Sequence, residues 1–271
     1  MKNWTGERLE TFVNNRVSIE HLHRYALAKN YIKNKIVLDI ACGEGYGTNL
    51  LSENASFVYG VDIDRETVEK AKIKYTKENI QFLEGNTSAI PLNDNSVDVV
   101  ISFETLEHHD KHDEMMLEIT RVLKPNGVLI ISTPDKLFYS DERNYKNEFH
   151  VKELYKEDFC FLISKYFKKQ QLLSQVFDAG NSIIQNEKNE KELQIFHGDF
   201  TEMTSLKVKP MFLIFIASEV DFKKSGVSIF NGKSISDNYL LNQFRGSSTF
   251  KVGSIILWPF KCLKKAVKSF K

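Results

Sequence analysis

The chain has 271 residues, 42% hydrophobic and 27% charged, an ordinary balance for a soluble globular protein long enough to bury a sizeable core. Its 37 Lys and Arg nearly cancel 36 Asp and Glu, leaving +1, so bulk charge gives no argument for a nucleic-acid partner. No run nears the roughly 20 apolar residues of a membrane-spanning helix. The opening MKNWTGERLE has no apolar h-region, and no signal peptide is expected. Cys42, Cys160 and Cys262 lie far apart without CxxC spacing, which fits a reducing, cytoplasmic setting better than a disulfide framework.

In chain order, a helical pattern around residues 19–31 precedes a run of alternating strands and helices. Ile36–Ile40, Phe57–Asp62, Ile80–Glu84, Val97–Phe103 and residues 128–133 read as buried strands, rich in β-branched residues. Residues 48–53, 65–75 and 113–123 read as the helices between them, the last closed by Lys124-Pro125-Asn126-Gly127. This alternation implies right-handed crossovers and an α/β fold, a parallel sheet with helices on both faces. A helix over 152–166 and strands over 167–176 and 211–219 complete it. Residues 181–192, rich in Asn, Glu and Lys, are expected to form a solvated loop. The division that follows is an N-terminal helical cap over 1–34, a core over 35–219 and a C-terminal extension over 220–271.

The informative segment is Val37-Leu38-Asp39-Ile40-Ala41-Cys42-Gly43-Glu44-Gly45-Tyr46-Gly47, a buried strand running into a glycine-rich turn and a helix. Glycines let a nucleoside-bearing ligand approach the backbone closely. The spacing is Gly43-x-Gly45-x-Gly47, with Thr48 where a dinucleotide fingerprint has its last glycine, and no GxxxxGK[ST] is present. Asp39 sets a negative charge at the turn, which repels a pyrophosphate and attracts the α-ammonium of a methionine moiety. Asp62 closes the second strand 17 residues after Gly45, near the spacing of an acid that grips ribose hydroxyls. Asp64 reads instead as a helix N-cap. Past the third strand, Glu84-Gly85-Asn86-Thr87 offers a side-chain amide and backbone donors to an adenine edge.

Together these segments resemble class I S-adenosylmethionine (SAM)-dependent methyltransferases. Thr5-Gly6-Glu7-Arg8, Glu20-His21-Leu22-His23-Arg24-Tyr25, Asn147-Glu148-Phe149-His150-Val151 and the apolar run over 210–218 are similar to a bacterial branch found among glycosyltransferases and surface-polysaccharide enzymes. The resemblance implies a Rossmann-like, mostly parallel seven-stranded sheet and SAM as cofactor. Asp39, Ala41, Cys42, Gly43 and Gly45 would hold the methionine portion, Asp62 the ribose, and Asn86 and Thr87 the adenine. Tyr25, Ile63 and Phe103 complete the expected cofactor set. Ala41 stands where the wider superfamily often has glycine, and Asn86 where it has aspartate; the amide oxygen of Asn86 still accepts from the adenine amino group.

Transfer to a hydroxyl needs orientation, a desolvated pocket and a general base. His108, which the resemblance puts near the transferred methyl, and His150, in a segment that commonly lids the acceptor pocket, are the candidate catalytic residues; bracing roles are the alternative for each. His21, Arg24 and Tyr25 share a helix face, which either caps the cofactor or packs on the core. The run His108-His109-Asp110-Lys111-His112-Asp113 lacks HExxH spacing and contains an opposing Lys111, so no metal is expected; Asp110 or Asp113 reads as a helix cap. In the tail, Phe260, Leu263, Val267 and Phe270 alternate with five lysines. That helix either lies on an anionic membrane surface or covers its own domain or a partner.

The expected activity is O-methylation of a carbohydrate, either a nucleotide sugar or a surface polysaccharide. Alternatives are N-methylation of an amino sugar, methylation of another small molecule such as a quinone or lipid precursor, and non-catalytic SAM binding within a glycosyltransferase complex. No nucleic-acid substrate is expected, since no Asn/Asp-Pro-Pro-Tyr/Phe motif is present.

Overall fold

The computed structural model describes residues 8–187, 194–206, 209–250 and 252. Thr5, Gly6 and Glu7 and the basic tail helix therefore lie outside the described residues.

The first four expected strands form with the expected bounds: β1 (Ile36–Ile40), β2 (Phe57–Asp62), β3 (Ile80–Glu84) and β4 (Val97–Phe103). The fifth, β5 (Leu123–Pro134), begins five residues early because Leu123 already pairs with Val97. The Lys124–Gly127 stretch then bulges until Val128 pairs with Val99, and Lys124 reaches back 3.0 Å to Asp98. Four helices fill the crossovers: α2 (Tyr46–Leu51), α3 (Arg65–Lys74), α4 (His112–Val122) and α5 (Lys156–Ser164). Ahead of them stands α1 (Arg16–Ala28), begun by a capping box between Asn15 and Ser18. Asp64 caps α3 as expected. Neither Asp110 nor Asp113 caps α4: the N-cap is Lys111, and Asp113 sits in the first turn, bonded to Lys165 and Tyr166.

The late strands are β6 (Lys169–Asp178) and β10 (Phe212–Ser218), with β7 (Asn181–Asn186) and β11 (Ser228–Asn231) beyond them; β8 (Ile195–Gly198) and β9 (Met203–Leu206) make a separate hairpin. The main sheet has the order β11-β7-β6-β10-β5-β4-β1-β2-β3. Within the seven strands from β6 to β3, β10 alone runs against the rest, so the expected mostly parallel core is present. The loop expected over 181–192 is corrected in its first half. Polar residues at 181–186 pair antiparallel with β6 because Ser182, Ile183 and Ile184 are buried under α1 and the sheet, a hairpin that composition alone misreads. Helix α6 (Lys233–Gly246) follows β11. No helix among the described residues is long and apolar enough to cross a membrane.

The sheet separates two apolar layers, and strand alternation assigns each side chain to one of them. Leu38, Ile40, Leu129, Ile131, Leu213 and Phe215 face Met115, Ile119, Phe159 and Ile163 of α4 and α5. Val37, Ile101, Ile130, Ile214 and Ile216 face Leu27, Ala28 and Leu51 of α1 and α2. Helix α1 is also fastened by polar groups. The His23 ring bonds Ser182 of β7 at 2.9 Å and Ser228 of β11 at 3.0 Å, while Gln175 of β6 donates to the Glu20 carbonyl at 2.9 Å.

The neighbours of β1 are β2 and β4, so the chain reverses its direction of spread there, opening a crevice beyond the carboxyl ends of the strands. Gly47 lets α1 close over it, since a Cβ at that position would stand 2.0 Å from the Tyr25 ring. Gly47→Ala is expected to lower stability by about 1–3 kcal/mol through overpacking, with urea unfolding as the readout; unchanged stability would show that Tyr25 has room to move.

Candidate functional site

A cavity of about 710 Å³ opens at this crevice, within the range of small-molecule sites. One wall is the turn after β1. Ala41 (φ 59°) and Gly43 (φ 53°) both take left-handed backbone there, and the Gly43 N–H donates to Asp62 Oδ2 at 2.8 Å. A non-glycine residue at Ala41 is a local strain, held by the Cys42 N–H bond to Val61 on one side and the Gly45 N–H bond to the Cys42 carbonyl on the other. Asp62 is almost fully buried; its Oδ1 accepts from the Asp64 N–H at 3.0 Å and lies 3.5 Å from the Arg8 guanidinium. Arg8 also bonds Asp64 at 2.7 Å, holding that carboxyl down to about 2.

Of the expected cofactor residues, Tyr25, Ala41, Cys42, Gly43, Asp62, Ile63, Asn86, Thr87 and Phe103 all line this cavity, and so do His108 and His150. Asp39 and Gly45 do not. Asp39 sits behind the turn, where Thr48 Oγ1 donates to Oδ2 at 2.8 Å and the Tyr25 hydroxyl donates to Oδ1 at 3.3 Å. That hydroxyl pair is the reason residue 48 is a threonine and not a third fingerprint glycine. Gly45 (φ 84°) starts α2 and leaves room for the Phe82 ring, which a Cβ would meet at 2.8 Å. The reading of Asn86 is also revised. Its Oδ1 already accepts from the N–H and hydroxyl of Ser88, both at 3.0 Å, so the amide nitrogen is the group left to face a ligand.

The opposite end of the cavity holds residues that no motif announced. Glu104 (φ 54°) follows β4 and accepts from Ser132 at 2.6 Å. Glu107 is buried in the short 3-10 turn at Leu106–His108 and accepts from Thr133 at 3.2 Å. Burial, with Glu104 alongside, pushes its carboxyl well above the usual range. The fully buried Arg24 stands behind this pair, 3.7 Å from Glu104, with its guanidinium over the Phe212 ring. Arg24 itself does not line the cavity, whereas His21 does, bonded to the Tyr46 hydroxyl at 2.9 Å. His23 is one of the fasteners of α1 and His112 braces the 3-10 turn through two carbonyls.

His108 and His150 meet edge to face at 5.3 Å, although 42 residues separate them. His108 Nδ1 is 3.0 Å from the Phe149 carbonyl, and His150 Nδ1 is 2.5 Å from Glu153. Both acceptors require a proton on Nδ1, and His150 Nε2 accepts from the Asn147 amide at 3.0 Å. Tyr139 stacks on His150 at 5.3 Å, and Arg143, Tyr145, Asn147 and Phe212 continue that wall. Arg143, Tyr145 and Asn147 belong to the segment between β5 and α5, where sequence offered no periodicity; aromatic and amide residues clustered in a long loop were the one available signal.

Residues 38–131 match a family model described as a methyltransferase domain. The chain is 40% identical over 119 residues to a "probable S-adenosylmethionine-dependent methyltransferase" of Mycolicibacterium smegmatis, a match covering 44% of this chain and 46% of that protein. It is 36% identical over 140 residues to demethylmenaquinone methyltransferase of Lactococcus lactis, covering 49% and 53%. The chain thus spans about half the length of the curated relatives it matches. Among solved structures, the YcgJ protein of Bacillus subtilis superimposes with a TM-score of 0.55 at 19% identity, over 74% of this chain and all of that one. The fold is the Rossmann-like class I methyltransferase fold, and residues 38–131 within it are similar to a methyltransferase domain.

Burial raises the Asp39 carboxyl to about 7, against the opposing hydrogen bonds of Thr48 and Tyr25. Its folded pKa therefore exceeds its unfolded value, so between about pH 4 and pH 7 the folded state holds the extra proton and stability from this group falls as pH rises. Asp39→Asn is expected to stabilise the ligand-free protein at pH 8 relative to pH 5 by on the order of 1 kcal/mol or more. Denaturant unfolding of both proteins at the two pH values measures it, and an equal or reversed difference would refute the assignment.

Proposed function

We propose that this protein transfers the methyl group of SAM to a hydroxyl of a carbohydrate, either a nucleotide sugar or a growing surface polysaccharide. The observation that carries the proposal is one cavity joining the Ala41–Gly43 turn and Asp62 at one end to His108 and His150 at the other. At the first end, Asp62 has lone pairs left on both oxygens for ribose hydroxyls, and the Asn86 amide suits a ring nitrogen of adenine. Tyr25 roofs the turn from α1, with Arg16 and His21 near enough to the cavity to meet the cofactor's carboxylate. Asp39 contributes its charge from behind the turn.

The second end suits a hydroxylated ring. Tyr139, Tyr145 and Phe212 supply flat apolar surface, and Arg143 and Asn147 supply donors beside them. Methyl transfer is an in-line displacement at the sulfonium methyl, so holding the acceptor oxygen in line is the larger part of the task. A neutral His108 Nε2 is the acceptor for the hydroxyl proton, with the Phe149 carbonyl fixing its tautomer. A second reading, methylation of a quinone or lipid precursor, draws on the apolar wall of Phe103, Met211 and Phe212 and on the naming of the Lactococcus lactis relative for demethylmenaquinone. The carbohydrate branch rests on the sequence resemblance and on the polar half of the acceptor wall.

Isothermal titration with SAM is expected to show one site, and Asp62→Ala to weaken it roughly 10- to 150-fold, the equivalent of a charged hydrogen bond worth about 1.5–3 kcal/mol. No heat from a folded protein would sink the proposal. With tritium-labelled SAM and a panel of nucleotide sugars, quinols and lipid extracts, label is expected in a sugar. His108→Ala is expected to lower kcat on that acceptor by about 10²- to 10⁴-fold with SAM affinity unchanged. Full SAM binding with no transfer to any class would favour a non-catalytic partner of a glycosyltransferase complex.

A further inference from the structure

Glu107, His108 and His150 come from two separate loops, yet one ligand atom of each lies within 4.8 Å of the others. Two histidines and one carboxylate are a set that holds catalytic zinc and, as a facial triad, other first-row metals, leaving open positions for a substrate. Around a metal with bonds of about 2.0–2.1 Å, neighbouring ligand atoms stand roughly 3 Å apart, so the three close by no more than about 2 Å on binding. The residues behind them have the arrangement such ligands require. A metal-bound histidine gives its other ring nitrogen to a carbonyl or carboxylate, which fixes the ring and makes it a better donor. His108 does so to the Phe149 carbonyl and His150 to Glu153. The Nε2 of His150 accepts from the Asn147 amide nitrogen at 3.0 Å, a bond that a metal ion displaces when it takes this lone pair. Glu104 engages Arg24 and Ser132 instead, leaving Glu107 as the carboxylate of the set.

We propose that Glu107, His108 and His150 bind one divalent first-row metal ion, of the class of zinc or manganese, at the acceptor end of the cavity. Binding stands on the three ligands alone; its catalytic consequence rests on the methyl-transfer reading above. An acceptor hydroxyl, or two neighbouring hydroxyls, takes the open positions. The metal lowers the pKa of the bound hydroxyl, whose proton passes to water. The oxygen then forms its bond to the sulfonium methyl carbon as the carbon–sulfur bond breaks, its electron pair staying on a now neutral sulfur. With the metal bound, His108 is a ligand and no longer the base, and the metal-held alkoxide is the nucleophile.

The test titrates the full chain, stripped by a chelator, with ZnCl₂ and MnCl₂, and with MgCl₂ as the oxygen-preferring control, in the absence of SAM. One site per chain is expected for zinc or manganese, with little heat from magnesium. His108→Ala and His150→Ala are expected to abolish it, and Glu153→Gln to weaken it about 10- to 100-fold. A SAM titration of every variant reports whether it is folded and tests the cofactor reading separately. Wild-type protein that binds SAM but neither metal, or metal binding that survives both histidine substitutions, would overturn the proposal.

Discussion

The site hangs on a carboxylate that never reaches it. Asp39 is the penultimate residue of β1, the strand at which the sheet order reverses, and is enclosed by the Tyr25 hydroxyl from α1 and the Thr48 hydroxyl from α2. A buried charge with only neutral partners is costly, yet these two bonds decide where both helices sit. Through Thr48 the turn after β1 is held to the strand it leaves, and through Tyr25 the N-terminal helix becomes the roof of the cavity. Tyr25 in turn packs edge-on against Phe103 at 5.1 Å and Tyr46 at 5.6 Å, which carries the constraint to the end of β4. The loop beyond Phe103 then sets Glu104, Glu107 and His108.

Electrostatics divides the cavity in the same way. On the cofactor side, Asp62 and Asp64 face Arg8, an ion pair at the rim. On the acceptor side, Glu104 and Glu107 face Arg24, which is entirely out of water and over the Phe212 ring. Its Nε and one terminal nitrogen have no hydrogen-bond partner among the described residues. A cation so placed makes sense as a counter-charge for two neighbouring carboxylates and as a wedge between β10 and α1.

Much of the core was legible because its signals are local. Strands β1 to β4 alternate buried faces within five to seven residues, and Gly43-x-Gly45-x-Gly47 announces a turn through backbone conformation alone. Most of the expected cofactor residues follow from these, since Ala41, Cys42, Asp62, Ile63, Asn86 and Phe103 lie within two residues of a strand end. The misreadings share a different cause. Asp39 is expected at the turn from its position along the strand, whereas its direction sets it behind the turn, against Thr48 and Tyr25. The polar 181–186 stretch became β7 because its partner β6 was near in sequence and its cover, α1, was far. The pairing of His108 with His150 is a loop-to-loop contact, for which no periodicity exists.

The attachment of α1 has a consequence for the time course of synthesis. His23 is held by Ser182 and Ser228, and the latter lies 205 residues further along the chain. At ribosomal rates of roughly 5–20 residues per second, the N-terminal helix waits about 10–40 s for its last partner. Until then the sheet has an open edge and Tyr25 lacks a fixed seat. The nascent chain thus carries its glycine turn long before it can close a roof over it, and competence to retain a cofactor waits for Ser228.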